Sequence, residues 1–392
     1  MEITHEKACL CALNSIFGFE PKIALALLSH FGSASEIFRL SPQEQDLFLG
    51  PHSKYRGCIS RTAVEKSTRE LETLDRQGIS FIGWSEDGYP AMLKECEDAP
   101  AGLYIKSRTA LEKLWKGHRF ISVVGTRDLS PYGKEWCERI VRRLAETPEE
   151  DRPVIISGLA LGTDACAHRT ALASGLATVA VMATGPDFIY PSRHICLADS
   201  ICRSEGSALI TDYPPGTAPL AVHFLRRNRI IAGLSEATVL IESKIKGGGM
   251  MTARLADSYN RTVFALPGRV DDLRSQGCNL LIRNRTAIPI SSLDDFMKEL
   301  GISSSRGKYG RESDGERLRR IYGGTLSDDR ISQMSTILLT IRRERGISAE
   351  EIAGKTGLEY LKVSQMIGIL ENDGIITRDL LQRCFINFAK QR

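Results

Sequence analysis

The sequence predicts an α/β fold in which helices cover both faces of a mostly parallel sheet. Seven short apolar runs, rich in β-branched residues, recur between residues 120 and 290, and segments with helical spacing of apolar residues separate them. Parallel strands that are buried on both faces have this near-continuous apolar character, whereas strands with one solvent-exposed face alternate between apolar and polar residues. Several of the runs end in glycine, as is common where a strand turns into a helix. These observations predict a Rossmann-like, doubly wound domain.

The predicted strands of this sheet are "FISVVG", "PVIISG", "ATVAVMATG", "SALITD", "ATVLIES", "RTVFALPG" and "AIPI". The predicted helices between them include "YGKEWCERIVRRLAE", "TDACAHRTALASG", "MMTARLADSYN" and "SSLDDFMKEL". Strands of 4–8 residues alternating with helical patterns of ten or more are typical of βαβ units.

The chain divides into four predicted regions. Residues 1–76 show short helical patterns with glycine turns, which predict a small helical module like the SAM or helix-hairpin-helix modules. Residues 77–300 hold the alternating strands and helices. Residues 301–328 are rich in glycine, serine and charge and predict a flexible linker. Residues 329–392 show two helices separated at Gly357 and then a short strand pair, the outline of a winged-helix domain.

Composition limits the class of protein. Hydrophobic residues make up 42% and charged residues 26% of the 392 residues, with a net charge of +4, as in globular proteins. No apolar run approaches the ~20 residues that span a bilayer, and the N-terminus lacks the order of a secretory signal. The ten cysteines are scattered without a C-x-x-C pair. We expect a cytoplasmic protein with no membrane contact, metal site or cofactor.

Glycines at the predicted strand ends indicate a rim that binds phosphates. Glycine lets backbone N–H groups approach an anion without an intervening Cβ. The chain contains neither G-x-G-x-x-G followed by an acidic residue nor G-x-x-x-x-G-K-[ST]. The sequence motifs that usually indicate a dinucleotide site or a P-loop are therefore missing. A polymer backbone therefore fits this rim better than a nucleotide cofactor. The glycines concerned are Gly125, Gly158, Gly162, Gly185 and Gly247 to Gly249.

The stretch "HFLRRNRIIAG", residues 223–233, places three arginines before an apolar helical stripe. If the stripe is buried, we expect Arg226, Arg227 and Arg229 in the first helical turn, where the dipole disfavours each cation by ~0.3–1 kcal/mol. A bound phosphate would offset that cost, since arginine forks onto phosphate oxygens. Phe224 would offer a ring for stacking a base.

Two questions about these residues stay open from the sequence alone. The arginines could instead pair with Asp212, Glu236 or Glu242, with Phe224 in the core. Separately, Asp164 and His168 stand one helical turn apart and could form an acid–base pair. We favour a helix cap for Asp164 and a local hydrogen bond for His168.

Eight motifs in order resemble the DNA-processing protein A (DprA/Smf) family. They are "SEDGYPAMLKECEDAPAGLYIK", "VVGTRDLSPYG", "SGLALGTDACAHRTAL", "ATGPDFIYPSRH", "HFLRRNRIIAGLS", "VLIESKIKGGGMMTARLA", "TVFALPG" and "GCNLLIRNRTA". The order of helical module, Rossmann-like domain and winged helix is also similar to longer family members.

The resemblance implies a DNA-binding protein rather than an enzyme. It implies binding of single-stranded DNA without sequence reading, protection of incoming DNA, and help in loading the RecA recombinase during natural transformation, by a homodimer. The DNA-binding residues that it implies are Gly125, Thr126, Arg127, Ser157, Gly158, Phe224, Arg226, Arg227, Asn228, Arg229, Gly248, Gly249 and Thr252.

A nucleotide phosphoribohydrolase and a winged-helix transcription regulator are the two alternative functions. Nucleotide phosphoribohydrolases with a related fold carry P-G-G-x-G-T-x-x-E, whereas this chain has "KGGGMMTA" and no glutamate in that turn. A winged-helix transcription regulator is the third class. Its recognition helix would carry Lys362 against Glu359, Glu371 and Asp373, which suits a duplex groove poorly. A partner-binding role fits this region better.

Overall fold

The computed structural model describes residues 2–115, 117–302, 314–344, 346–379 and 382–386. The chain forms two compact units, residues 1–304 and residues 305–392.

The first unit contains fourteen α-helices and nine strands within its described residues. Its helices are α1 His5–Phe17, α2 Pro21–Phe31, α3 Ala34–Ile37, α4 Pro42–Leu49, α5 Arg61–Arg76, α6 Ala91–Lys94, α7 Leu111–Trp115, α8 Pro131–Ala145, α9 Thr163–Ala173, α10 Ile195–Arg203, α11 Ala221–Leu234, α12 Gly248–Ser258, α13 Gln276–Arg283 and α14 Leu293–Glu299. Its strands are β1 Ile79–Gly83, β2 Gly102–Lys106, β3 Phe120–Val124, β4 Val154–Ser157, β5 Thr178–Val181, β6 Ala208–Thr211, β7 Ala237–Leu240, β8 Thr262–Ala265 and β9 Ile288–Pro289.

The nine strands form one sheet in the order β1-β2-β6-β5-β4-β3-β7-β8-β9. The pairs β1–β2 and β2–β6 are antiparallel, and all other neighbours are parallel. The expected α/β architecture with a mostly parallel sheet is confirmed, and β3 to β9 coincide with the seven predicted runs. After β3 the chain builds outward on one side to β6, and β7 then returns to the other side of β3. This reversal is a topological switch point at the carboxyl ends of β3 and β7, and open α/β sheets bind ligands in the crevice at such a point.

Helices cover both faces of the parallel part of the sheet. Successive side chains of a strand point to opposite faces, so Val124 packs in the cluster that contains Ile230 of α11 and Met250 of α12. Ile121 packs in the opposite cluster, with Ile140 of α8. The strands are therefore buried on both sides, which explains their continuous apolar sequence.

The N-terminal helices share a core with the antiparallel edge of the sheet. Leu10 of α1 packs in one cluster with Phe81 of β1 and Tyr104 of β2. A Cβ at Gly83 would collide with the Leu10 side chain, so this glycine permits the close approach of α1. Asn14 also donates a 2.7 Å hydrogen bond to the carbonyl of Asp212, just after β6. Residues 1–76, predicted as a separate module, thus lie in the same compact unit as the sheet.

The second unit consists of four helices and a strand pair within its described residues. They are α15 Asp314–Tyr322, α16 Asp328–Arg343, α17 Ala349–Thr356, α18 Tyr360–Asn372, β10 Ile376–Arg378 and β11 Cys384–Ile386, with the two strands antiparallel. Helix α15 lies within the segment 301–328 that was predicted as a linker. Its Leu318 and Tyr322 are buried against the α16 cluster, which explains why this charged segment forms a helix. Residues 303–313 of that segment lie outside the described residues.

Candidate nucleic-acid interface

The crevice above β3 and β7 is formed by two glycine turns in direct contact. Gly125 follows β3, and Gly249 lies in the first turn of α12. A Cβ at Gly249 would stand 2.7 Å from Cδ1 of Leu240 and 3.1 Å from the Cα of Gly125. A Cβ at Gly125 would stand 2.5 Å from Oγ1 of Thr163. Only glycine allows the two turns to approach this closely, so both glycines shape the crevice.

The turn after β3 contains three backbone donors, at Gly125, Thr126 and Arg127. Within the described part of the chain, no group accepts a hydrogen bond from the backbone N–H of Gly125, Thr126 or Arg127. The carbonyl of Thr126 is occupied, because it accepts from the N–H of Thr163 at 3.1 Å. Gly162 has a φ of +73°, and a Cβ there would collide with the Thr126 carbonyl. The start of α9 therefore holds this turn through the Thr126 carbonyl and leaves the three N–H groups without a partner among the described residues.

Phe224 lies at the mouth of the crevice. The Cζ atom of Arg127 is 4.9 Å from the centre of its ring. Tyr190, a half-exposed residue that the sequence analysis did not single out, meets the same ring edge-on at 5.6 Å. Phe224 is itself only half-buried, so the alternative that it belongs to the core is wrong. An exposed arginine, a phenylalanine and a tyrosine thus adjoin the free N–H groups.

Helix α11 begins earlier than the sequence predicted. Its first residue is Ala221, with Leu220 as the N-cap, so Arg226 follows five residues later. The expectation that the arginines occupy the first turn is therefore wrong, and so is the dipole cost inferred from it, since that effect falls off within one turn. Pro219 lies immediately before the N-cap.

Arg227 is a buried residue beneath the crevice. It is 3% exposed, and its Nη1 donates to the carbonyls of Gly158, at 2.6 Å, and of Val181. A Cβ at Gly158 would collide with this guanidinium, so Gly158 makes room for it. Burial lowers the pKa of Arg227 to about 10, while the nearby Asp164 carboxylate opposes the shift. Arg227 thus ties the ends of β4 and β5 to α11.

The other two arginines of this helix also have partners in the protein. Arg229 is 6% exposed and forms an ion pair with Asp212, and it donates to the carbonyl of Asp98. The open alternative of pairing with Asp212 is therefore correct for Arg229. Arg226 is half-buried, donates to the carbonyl of Gly18 at 2.8 Å and lies over the ring of Phe19.

The two other acids considered as partners serve different groups. Glu236 pairs with Arg119 at 2.7 Å. Glu242 is buried and accepts two hydrogen bonds from Ser130. Neither acid neutralises an arginine of α11.

The thirteen predicted site residues separate into two groups by exposure. The accessible group consists of Gly125, Thr126, Arg127, Phe224, Arg226 and Gly248. The buried group consists of Ser157, Gly158, Arg227, Asn228, Arg229, Gly249 and Thr252. Ser157 illustrates the second group, because its hydroxyl donates to the carbonyl of Val123 at 2.6 Å and links β4 to β3.

Asp164 and His168, the possible acid–base pair, are both buried and have structural roles. Asp164 is 8% exposed, lies inside the first turn of α9, and accepts at 3.2 Å from the N–H of Ala160 in the loop before the helix. Burial raises the pKa of Asp164, and Arg227 opposes that shift. His168 is fully buried and contacts the hydroxyl of Thr178 at 2.7 Å. Burial, with His194 and Arg227 nearby, lowers the pKa of His168 to about 3. The helix cap expected of Asp164 is wrong, because the N-cap of α9 is Gly162 and no side chain caps this end. The local hydrogen bond expected of His168 is confirmed.

Comparison with known proteins identifies the family of this chain. Residues 80–301 match the model of the family described as DNA recombination-mediator protein A. The chain belongs to this family. It is 35% identical over 255 residues to the DNA processing protein DprA of Streptococcus pneumoniae, covering 64% of this chain and 86% of that protein.

Two solved structures of the family share the fold. The X-ray structure of DprA from Streptococcus pneumoniae superposes with a TM-score of 0.59 at 30% identity, covering 76% of this chain and 99% of that one. DNA processing protein A from Helicobacter pylori, whose structure addresses its mode of binding single-stranded DNA, gives a TM-score of 0.50 at 30% identity. That match covers 57% of this chain and 95% of the other. Among the helices that the structure describes, none is long and apolar enough to cross a membrane.

Proposed function

We propose that this chain binds single-stranded DNA, without reading its sequence, in the crevice above β3 and β7. The observation that supports this most directly is the turn Gly125-Thr126-Arg127, whose three N–H groups lack partners among the described residues and stand beside an exposed arginine. Consecutive free N–H groups form an anion site, and the N-terminus of α12 beside them adds further donors. A phosphate of the DNA backbone would occupy this position.

Phe224 would contact a base next to that phosphate. Its ring is accessible and stands under the Arg127 guanidinium. Stacking of a base on an aromatic ring contributes about 1–3 kcal/mol and tolerates any sequence. In this proposal Arg127 binds the phosphate, while Gly248 and Arg226 flank the strand. The buried members of the predicted set, such as Arg227 and Arg229, hold these loops in place.

Within the family, we further propose a role as a mediator that helps load the RecA recombinase onto incoming DNA in the cytoplasm, as a homodimer and without catalytic activity. The family description as a recombination mediator supports the first part. The burial of Asp164 and His168 supports a binding role, because neither can reach a substrate. Sedimentation of the purified chain at micromolar concentration tests the dimer, and a monomer would contradict it.

Residues 329–392 are proposed to form a winged-helix domain that contacts a partner rather than a duplex. The succession of α16, α17, α18 and an antiparallel strand pair supports the first statement. Lys362 of α18 lies 3.7 Å from Glu359, so the cation that this helix offers is partly neutralised. This supports the second statement.

The decisive experiment is fluorescence anisotropy with matched single- and double-stranded oligonucleotides, using the wild type, Arg127→Ala and Arg76→Ala. Arg76 is an exposed arginine at the end of α5 and serves as a control of equal charge. We expect preferential binding of the single strand, weakened by Arg127→Ala alone. Equal affinities of the two arginine variants would reject the proposed site. A nucleotide-hydrolysis assay on the same sample tests the phosphoribohydrolase alternative.

A further inference from the structure

A second basic cleft opens beside the crevice, between helices α8 and α9. It has a volume of about 520 Å³ and shares Arg127 and Gly162 with the turn described above. That volume falls within the range of about 300–1,000 Å³ that is typical of ligand sites. The other charged residues along it are Lys134 and Glu138 on α8, Arg169 on α9, and Arg193 in the 3-10 turn Ser192–His194 before α10.

The positive charge of this cleft is not neutralised. None of Lys134, Arg169 and Arg193 forms an ion pair with any residue that the structure describes, and all three are exposed. The one carboxylate that lines the cleft, Glu138, is already paired with Arg142 at 2.8 Å. With Arg127 at its mouth, the cleft holds four cations around one compensated acid. Such a concave surface focuses a positive potential that attracts an anion.

We propose that this cleft is a second subsite for single-stranded DNA, in which Lys134, Arg169 and Arg193 bind the phosphates that follow the one held at Arg127. The proposal rests on the function proposed above and lengthens the surface along which the DNA strand binds. The strand would leave the crevice at Arg127 and run along α9 toward Arg169.

The length of the cleft sets the number of additional phosphates. Gly162 and Arg169 are separated by seven residues along α9, which corresponds to about 10 Å at 1.5 Å per residue. Phosphates of one strand are spaced by 3.4 Å along B-form DNA and by more in an extended strand. The cleft therefore accommodates about two phosphates beyond the first.

The test compares two triple variants of equal charge with the wild type. In the cleft variant, Lys134→Gln, Arg169→Gln and Arg193→Gln are combined. In the control variant, Lys66→Gln, Arg69→Gln and Arg76→Gln remove three exposed cations from α5. Each protein is titrated over a range of salt concentrations with fluorescent oligo-dT of 2 nucleotides, which has a single phosphate, and of 20 nucleotides. All six side chains are exposed, so unchanged thermal melting is expected and is measured first.

Wild type and control variant should bind the longer oligonucleotide with a steeper salt dependence than the shorter one. Each phosphate contributes about 0.7 to the slope for single strands, so two phosphates add about 1.4. The cleft variant should lose that difference while it retains the affinity of the wild type for the short oligonucleotide. Equal slopes for all three proteins with the long oligonucleotide would overturn the subsite and leave the crevice intact. Failure of the wild type to bind either oligonucleotide would overturn the proposed function itself.

Cys166 supplies an independent readout, because it lines the cleft and is half-buried. A hydrogen bond with the Cys137 thiol lowers the pKa of the Cys166 thiol, which favours its alkylation. Alkylation by iodoacetamide is mapped by mass spectrometry, with the exposed Cys58 as the internal control. The 20-nucleotide strand should protect Cys166 by several-fold and leave Cys58 unchanged, whereas the 2-nucleotide strand should protect neither. Equal alkylation of Cys166 with and without the long strand would contradict the proposed path.

Discussion

Replacing Arg227 with methionine should destabilise the first unit rather than act on binding directly. Methionine fills much of the same volume but removes the donors to the carbonyls of Gly158 and Val181. Each buried acceptor that loses its partner costs about 1–3 kcal/mol, so the two together cost about 2–6 kcal/mol. Domains typically unfold with only 5–15 kcal/mol, so this loss is a large fraction of the total. The nearby carboxylate of Asp164 also loses the cation that opposes its burial.

Urea denaturation followed by tryptophan fluorescence measures this loss in the right part of the chain. The three tryptophans, Trp84, Trp115 and Trp136, all belong to the first unit, so the signal excludes residues 305–392. We expect the midpoint to fall by about 0.7–2 M urea for a slope of about 3 kcal/mol/M. Arg127→Ala serves as the control and should stay within about 0.5 kcal/mol of the wild type, because Arg127 is exposed. A midpoint for Arg227→Met that matches the wild type would refute the structural role assigned here.

Three further predictions concern the crevice and its surroundings. Arg127→Ala should lower the salt slope for oligo-dT by about 0.7, the contribution of one phosphate, and a slope unchanged in anisotropy titrations would count against its role. Gly249→Ala should destabilise the first unit by about 1–3 kcal/mol, because its Cβ meets the Gly125 backbone, whereas Gly248→Ala has open space and should melt like the wild type. His168 has a folded pKa of about 3 against an ordinary value of 6.5. The unfolded chain therefore takes up its proton first, and stability falls as pH drops from about 6.5 toward 3, by up to about 1.4 kcal/mol per pH unit. His168→Gln should remove that component in urea titrations at pH 7, 6 and 5, and an identical pH dependence would contradict it.

The parallel sheet could be predicted because burial on both faces leaves a clear mark in the sequence. Strands β3 to β9 appear as short apolar runs for that reason. The antiparallel pair β1 and β2 was not singled out, since "ISFIG" and "GLYIK" are short and are covered partly by α1 and its neighbours. That contact joins residues far apart in sequence, and no local pattern contains it.

The residue types of the candidate site could be predicted from the sequence, but not which of those residues are exposed and which are buried. The sequence placed glycines and arginines at the carboxyl edge, and the structure brings Gly125, Arg127 and Phe224 together there. It could not separate Arg127 from Arg227, because the carbonyls that receive Arg227 come from β4 and β5, about 46 to 69 residues away. The start of α11 was predicted too late in the chain because the prediction relied on the apolar stripe. Pro219, just before the observed N-cap, was the residue that could have indicated the earlier start.

Photo-cross-linking of oligonucleotides that contain 5-bromodeoxyuridine, followed by peptide mapping, tests most directly where the strand lies. The structure predicts adducts on peptides that contain Phe224 or residues 125–127, and their loss in the presence of excess unlabelled oligo-dT. Adducts confined to peptides elsewhere in the chain, with none on these two segments, would contradict the proposed binding crevice.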